Sequence, residues 1–171
     1  MIIAGLYSFN NGHEAIEKEY SVELAELKAL IADMKPLKSP VRLNNAFHEK
    51  RTQGLWQILR IVPEYSRDYT RDGQYANEDV ESISHELAVK NRLGLEIEFG
   101  KPPSMVYSTA AKMTIFRNLG HIDAGIEIVP IKSFAKQMSG GVSYFEQIVW
   151  DLEQRGVSNI DIPVLIIGVA E

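Results

Sequence analysis

The stretch Leu93-Gly94-Leu95-Glu96-Ile97-Glu98-Phe99-Gly100-Lys101 alternates apolar and polar residues, which predicts a β-strand with two different faces. Glu96 and Glu98 share one face, about 7 Å apart along the backbone at the usual rise of a strand. Their charges repel, so the pair is most favourable with a cation nearby. This pattern has two interpretations: a solvated strand face, or carboxylates that hold a divalent metal for phosphodiester hydrolysis. The apolar residues share the other face: Leu93, Leu95, Ile97 and Phe99.

The composition indicates one globular domain over residues 1–171, with 45% hydrophobic and 24% charged residues. The chain contains no cysteine, which excludes a disulfide framework and a thiolate zinc site. The absence of cysteine also fits a reducing compartment, so we expect a cytoplasmic protein. The first residues lack the basic region of a signal peptide, and no apolar run reaches the length of a membrane span. We therefore expect no membrane association.

The net charge of −5 argues against binding of polyanions through overall charge. The charges are nevertheless segregated along the chain, which leaves room for a local basic cleft. Acidic residues concentrate in 14–33, 78–86 and 146–153. Basic residues cluster elsewhere: Lys35, Lys38, Arg42, Lys50, Arg51, Arg60, Arg67, Arg71, Lys90, Arg92 and Lys101.

The order of predicted elements is that of an α/β protein with a central mixed sheet flanked by helices. Residues 1–9 fit a first strand or an extended arm, and apolar spacing predicts a long helix over 12–34 that ends before Pro36. Further helices are predicted over 43–55, 104–118, 132–138 and 142–155, and further strands over 56–62, 121–129 and 162–169. Residues 65–77 indicate a loop, and 77–90 a helical or irregular segment.

The carboxylate strand contains the groups that metal-dependent phosphodiester hydrolysis requires. The reaction needs an activated water near phosphorus and charge stabilisation at the leaving oxygen, and Mg²⁺ held by oxygen ligands supplies both. In this interpretation Glu96 binds the metal directly, the carbonyl of Ile97 is a further ligand, and Glu98 positions the attacking water or a second metal. One more acid is needed upstream, and spacing does not choose among the candidates: Glu86, Glu81 and Asp79.

The other motifs carry little chemistry. The four histidines are scattered and form no close ligand pair, which is typical of surface or capping residues. No serine lies in a nucleophile motif. The loop Ser139-Gly140-Gly141 would permit close approach of the backbone to a ligand, and the same sequence is equally typical of an ordinary turn.

Taken together, the segments resemble the BglII/BstYI group of type II restriction endonucleases, which have the restriction-endonuclease-like PD-(D/E)xK fold. The most specific part is Glu96 to Lys101 followed by the block Met138 to Tyr144. The resemblance implies a Mg²⁺-dependent homodimer that uses no organic cofactor. It also implies cleavage of double-stranded DNA at palindromes with a GATC centre, leaving four-base 5′ overhangs. The remaining matching segments are 7–12, 39–47, 89–95, 123–132 and 163–168.

Carried over by position, the resemblance makes Glu96 the metal-binding glutamate of the group. Glu98 stands where this group usually has glutamine, although related BamHI-type enzymes have glutamate there. Lys101 matches a lysine near the DNA, and Lys132 precedes the loop that approaches the bases. Three residues fall in that loop: Ser139, Gly140 and Ser143.

The chain departs from the group at one position. The group places its metal-binding aspartate about nine residues before the glutamate, and Leu87 occupies that position here. Either Glu86 replaces the aspartate after a small shift, or cleavage is impaired and the protein is a DNA-binding relative. The expected function is thus a type II restriction endonuclease, with catalytic residues Glu86, Glu96 and Glu98. An α/β protein unrelated to DNA is the third possibility.

Overall fold

The computed structural model describes residues 1–63, 84–100, 106–138, 142–155 and 161–171. Its centre is a six-stranded sheet with the strand order β1-β6-β5-β4-β3-β2. The strands are β1 (Ile2–Phe9), β2 (Gln57–Ile61), β3 (His85–Lys90), β4 (Leu93–Ile97), β5 (Ala124–Pro130) and β6 (Val164–Ala170). The helices are α1 (Gly12–Glu19), α2 (Ser21–Asp33), α3 (Pro40–Gln53), α4 (Val106–Asn118), α5 (Lys132–Ala135) and α6 (Phe145–Arg155).

The sheet is mixed, as the sequence predicts. Strands β4, β5 and β6 run parallel at its centre. Antiparallel pairs complete it on both sides, with β1 beside β6 and the β2–β3 pair beside β4. The expectation of an α/β fold with a central mixed sheet flanked by helices is therefore confirmed.

Strand alternation divides the core into two clusters, one on each face of the sheet. On one face, α1, α2 and α3 cover a cluster that contains Leu95 of β4 and Phe47 of α3. On the other face, α4 and α6 cover a cluster that contains Leu87 of β3 and Met113 of α4. The central strands β5 and β6 are buried on both faces, which explains why their sequences are almost continuously apolar.

The predicted single helix over 12–34 is wrong: it is two helices, α1 and α2, with a break at Tyr20. Tyr20 has φ −131° and is buried, and its hydroxyl is hydrogen-bonded to Asp123. Neither glycine nor proline marks this position, so the local sequence carries no stop signal. A tertiary contact accompanies the break, and the apolar spacing continues through it.

The predicted helical or irregular segment up to Lys90 is also wrong where the structure describes it, because His85–Lys90 is strand β3. This strand pairs with β2 on one side and β4 on the other. Its residues have no strong preference for strand, and the two ladders decide their conformation. The hairpin to β4 turns through Asn91 and Arg92, both with positive φ.

The other described elements agree with the predicted ones to within a few residues. At the start of α3, the hydroxyl of Ser39 accepts a hydrogen bond from the backbone N–H of Arg42, and Pro40 occupies the first turn. The predicted loop at 65–77 lies outside the described residues. Among the described helices, none is both long and apolar enough to cross a membrane.

Candidate active site

Glu96 lies where strands β3 and β4 separate. The last paired residues of this ladder are Ala88 and Leu95, and Glu96 is the next residue of β4. A cleft of about 690 Å³ opens beside this point, between the strands, α3 and α4. Its charged lining residues are Arg51, Glu86, Glu96 and Lys112.

The carboxylate of Glu96 is enclosed and paired with a lysine from α4. Lys112 Nζ lies 2.7 Å from Glu96 Oε1, and the two side chains are only 14% and 13% exposed. The interpretation of Glu96 and Glu98 as a solvated strand face is therefore wrong. The interpretation fails because helix α4 packs over the face of β4 that carries Glu96 and shields it from solvent.

Arg51 approaches Glu96 from α3. The pKa of its guanidinium is lowered by burial, and the negative charge of Glu96 opposes that change. Its Nη2 lies 2.7 Å from His48 Nδ1. Its Nε is buried and has no hydrogen-bond partner within the part of the chain that the structure describes. Glu96 is thus flanked by cations from two helices.

Strand alternation places Leu87, and not Glu86, on the face of Glu96. Leu87 is one position beyond the last β3–β4 pair, opposite Glu96, and is buried among the residues under α4. Glu86 is on the opposite face, where it is 59% exposed and its Oε1 lies 3.9 Å from Arg60 Nε. Glu86 still lines the same cleft, because the cleft opens where the strands separate.

Glu98 continues the parallel ladder beyond β4 and is 9% exposed. Its backbone N–H donates to the carbonyl of Ile128 at 2.9 Å. The next residue is fixed by the Asn44 side chain, which donates to Phe99 O at 2.6 Å and accepts from Phe99 N at 3.2 Å. Helix α3 thereby fixes the segment that carries Glu98.

Of the residues expected to contact DNA, the structure describes two. Lys132 is exposed at the start of α5, with its Nζ 5.5 Å from the centre of the Tyr144 ring. Its backbone N–H donates to Glu146 Oε2. Ser143 is buried. Lys101, Ser139 and Gly140 lie outside the described residues, as do the alternative acids Asp79 and Glu81.

The donor set fits a single hard cation with few protein ligands. Mg²⁺ is usually held by one or two carboxylates and keeps several waters and phosphate oxygens. Glu96 and Glu86 offer such oxygens in one cleft, and Ile97 lines a neighbouring cavity that shares Arg51 with it. Among the described residues, no group of three or more His, Cys, Asp or Glu side chains is arranged to hold an ion.

Sequence reasoning missed three residues of this site. Lys112 stands beside the apolar stripe of α4, and Arg51 is one member of a basic cluster. Glu127 is beside Glu96 in the β4–β5 ladder and is 4% exposed. A charged residue in the middle of an otherwise apolar strand was a signal for Glu127. No local signal identifies Lys112 or Arg51, because only the packing of α3 and α4 brings them to Glu96.

The mixed sheet, its helices on both faces and the charged cleft beside the end of β4 are consistent with the restriction-endonuclease-like class. A comparison with protein families found that residues 4–169 match the restriction endonuclease BglII/BglIII family. The chain belongs to this family, and the enzyme is a type II site-specific deoxyribonuclease acting on DNA. A comparison with curated proteins found no match.

Proposed function

We propose that the protein hydrolyses double-stranded DNA at a short GATC-centred palindrome with Mg²⁺ as cofactor. The observation that carries this proposal is the position of Glu96, enclosed at the point where β3 and β4 separate and flanked by Arg51 and Lys112. The carboxylate suits a metal ion, and the two cations beside it suit the phosphate of the substrate.

In this proposal Glu96 and the carbonyl of Ile97 hold the ion, and Glu86 approaches from the cleft opening. When bound, Mg²⁺ supplies a polarised water and stabilises charge on the phosphate. Glu98 positions the attacking water, since the Asn44 clamp on Phe99 fixes the backbone beside it. Arg51 contributes a positive charge that attracts the phosphate of the DNA backbone.

DNA contacts are proposed at the edge of the sheet where β4 and β5 end. These strands are parallel, so Glu98 and Lys132 follow strand ends at the same edge. Lys132 and Lys101 supply cations for phosphate or guanine, and the loop with Ser139 and Gly140 approaches the bases. Because Ser143 is buried, we place it at the base of this loop.

A palindromic site calls for two active sites related by a two-fold axis, so we propose a homodimer. One protomer then addresses each strand. Residues 12–34 form two shorter helices, so a contact between protomers through one long helix is not available. Sedimentation of the protein with and without palindromic duplex measures how many protomers bind one duplex. A complex of one protomer with one duplex would contradict the dimer.

The first test is cleavage of plasmid DNA with Mg²⁺ or Mn²⁺. We expect discrete fragments with ends at GATC-centred sites, and loss of cleavage by at least about a hundredfold in Glu96→Ala, the range for losing a principal transition-state stabiliser. Glu19→Ala, an exposed acid at the end of α1, is the matched control and keeps activity. Fragments that persist in Glu96→Ala would remove Glu96 from the site.

The second test concerns the upstream ligand, because the position of Leu87 favours a second candidate, a DNA-binding relative with impaired cleavage. Glu86→Ala abolishes cleavage if Glu86 completes the metal site. Unchanged cleavage in Glu86→Ala assigns this role to another acid, and Asp79 and Glu81 are then tested in turn. Sequence-specific DNA binding by the unaltered protein, with no cleavage in either metal, identifies the impaired relative.

A further inference from the structure

Lys112 has a place in the cleft that neither its local sequence nor the family resemblance assigns. Its Nζ is 2.7 Å from Glu96 Oε1, and both side chains are largely buried. This is not a solvated surface pair, for which the interaction would be weak. Removing one partner of an enclosed pair leaves the other charge uncompensated. In the metal-free protein, the ammonium of Lys112 therefore balances the negative charge of Glu96.

The ammonium group and a divalent ion compete for the same carboxylate. Mg²⁺ binds oxygen at about 2.0–2.1 Å, so an ion that binds Oε1 of Glu96 takes the position of the Lys112 ammonium, and two cations at one carboxylate repel each other. Leu87 faces Glu96 from β3 and brings no charge to attract the ion, so the nearest second carboxylate in the sheet is that of Glu127 on β5. Metal entry at Oε1 of Glu96 thus requires that Lys112 give up its position.

We propose that Lys112 is a positioning residue that holds Glu96 in the metal-free enzyme and is displaced by the divalent ion. Its flexible stem and rotatable donors allow the ammonium to turn into the cleft, where the substrate phosphate provides a new anionic partner. Metal binding is then weak without DNA and strengthened by it, because the phosphate compensates the lysine that the metal releases. This inference rests on the proposed function.

The test measures Mn²⁺ affinity in the absence of DNA, by calorimetry and by the paramagnetic signal of free Mn²⁺. Lys112→Met frees Glu96 from its competitor and tightens Mn²⁺ binding, by on the order of tenfold for a coupling of ordinary size. Lys28→Met, an exposed lysine on α2, is the matched control and leaves the affinity unchanged. Equal or weaker Mn²⁺ binding in Lys112→Met overturns the proposal.

Lys112→Gln provides a second variant if Lys112→Met does not fold, since glutamine keeps a hydrogen-bond donor for Glu96 without the charge. It also tightens Mn²⁺ binding, and the double variant with Glu96→Gln loses the gain. If the double variant still binds Mn²⁺ more tightly, the ion does not bind at Glu96 and the proposal is overturned. Tighter Mn²⁺ binding in a protein that cleaves no DNA refutes the nuclease proposal alone. Cleavage of DNA with no gain in affinity refutes only the role of Lys112.

Discussion

Leu87 and Glu96 face each other at the point where β3 and β4 separate. One side chain is apolar and the other is a carboxylate. Glu96 meets two cations, while Leu87 packs among the residues beneath α4. At the position where the resemblance places an aspartate, the chain has an apolar side chain. The carboxylates on the α4 face therefore come from β4 and β5, and β3 contributes none at this position. This makes Leu87 the residue whose replacement is most informative.

We predict that Leu87→Asp strengthens divalent-metal binding and raises cleavage. Without metal, the variant unfolds more easily, by up to roughly 3–5 kcal/mol, since a carboxylate replaces a buried leucine. Added Mn²⁺ raises its unfolding temperature more than that of the unaltered protein. Leu87→Asn is the control, because asparagine has the size of aspartate without its charge. Added Mn²⁺ raises the unfolding temperature of this variant little. Equal Mn²⁺ responses in the two variants would show that this position does not face the metal.

Close packing between elements determines how the first helix lies on the sheet. The first residue of α1, Gly12, is buried against the backbone of Val164 in β6, and a Cβ at Gly12 would overlap backbone atoms of Val164. Gly125 in β5 is equally crowded, but there a Cβ would meet the flexible side chain of Met113. Backbone in a central strand does not yield, whereas a methionine side chain readily adopts another rotamer.

We predict that Gly12→Ala costs about 3 kcal/mol or more of unfolding free energy, at or above the upper end for overpacked cores. Gly125→Ala costs about 1 kcal/mol, because Met113 moves aside. Urea unfolding of both variants measures the difference. A smaller loss in Gly12→Ala than in Gly125→Ala would show that α1 lifts from β6 without penalty.

At the scale of the whole molecule, one exposed ion pair connects distant segments. Arg92, in the β3–β4 hairpin, donates from Nε and Nη2 to Asp123 at 2.6 Å each, and from Nη1 to the carbonyl of Gly120. Tyr20, between α1 and α2, is hydrogen-bonded to the same carboxylate. The hydrogen bonds from Arg92 are the main reason that the pKa of Asp123 is lowered.

This pair predicts a pH dependence of stability. A lowered pKa in the folded state means that the contribution of Asp123 is complete above its unfolded pKa of about 3.9 and is lost as the pH falls through the folded value. Asp123→Asn therefore unfolds at a lower temperature than the unaltered protein at pH 7. In acid below the folded pKa the two unfold together. A difference that persists in acid would show that charge is not the cause.

The alternation over Leu93 to Lys101 determined strand β4 and the placement of Glu96 and Glu98 on one face, and the order of the predicted elements determined the α/β class. The strand and its two faces follow from local periodicity, because successive side chains of a strand point to opposite faces. Only the tertiary structure decided that Tyr20 ends a helix, that His85–Lys90 is a strand, and that Lys112 and Arg51 meet at Glu96. Each of these depends on a partner far away in the chain, and such pairing leaves no trace in the local sequence.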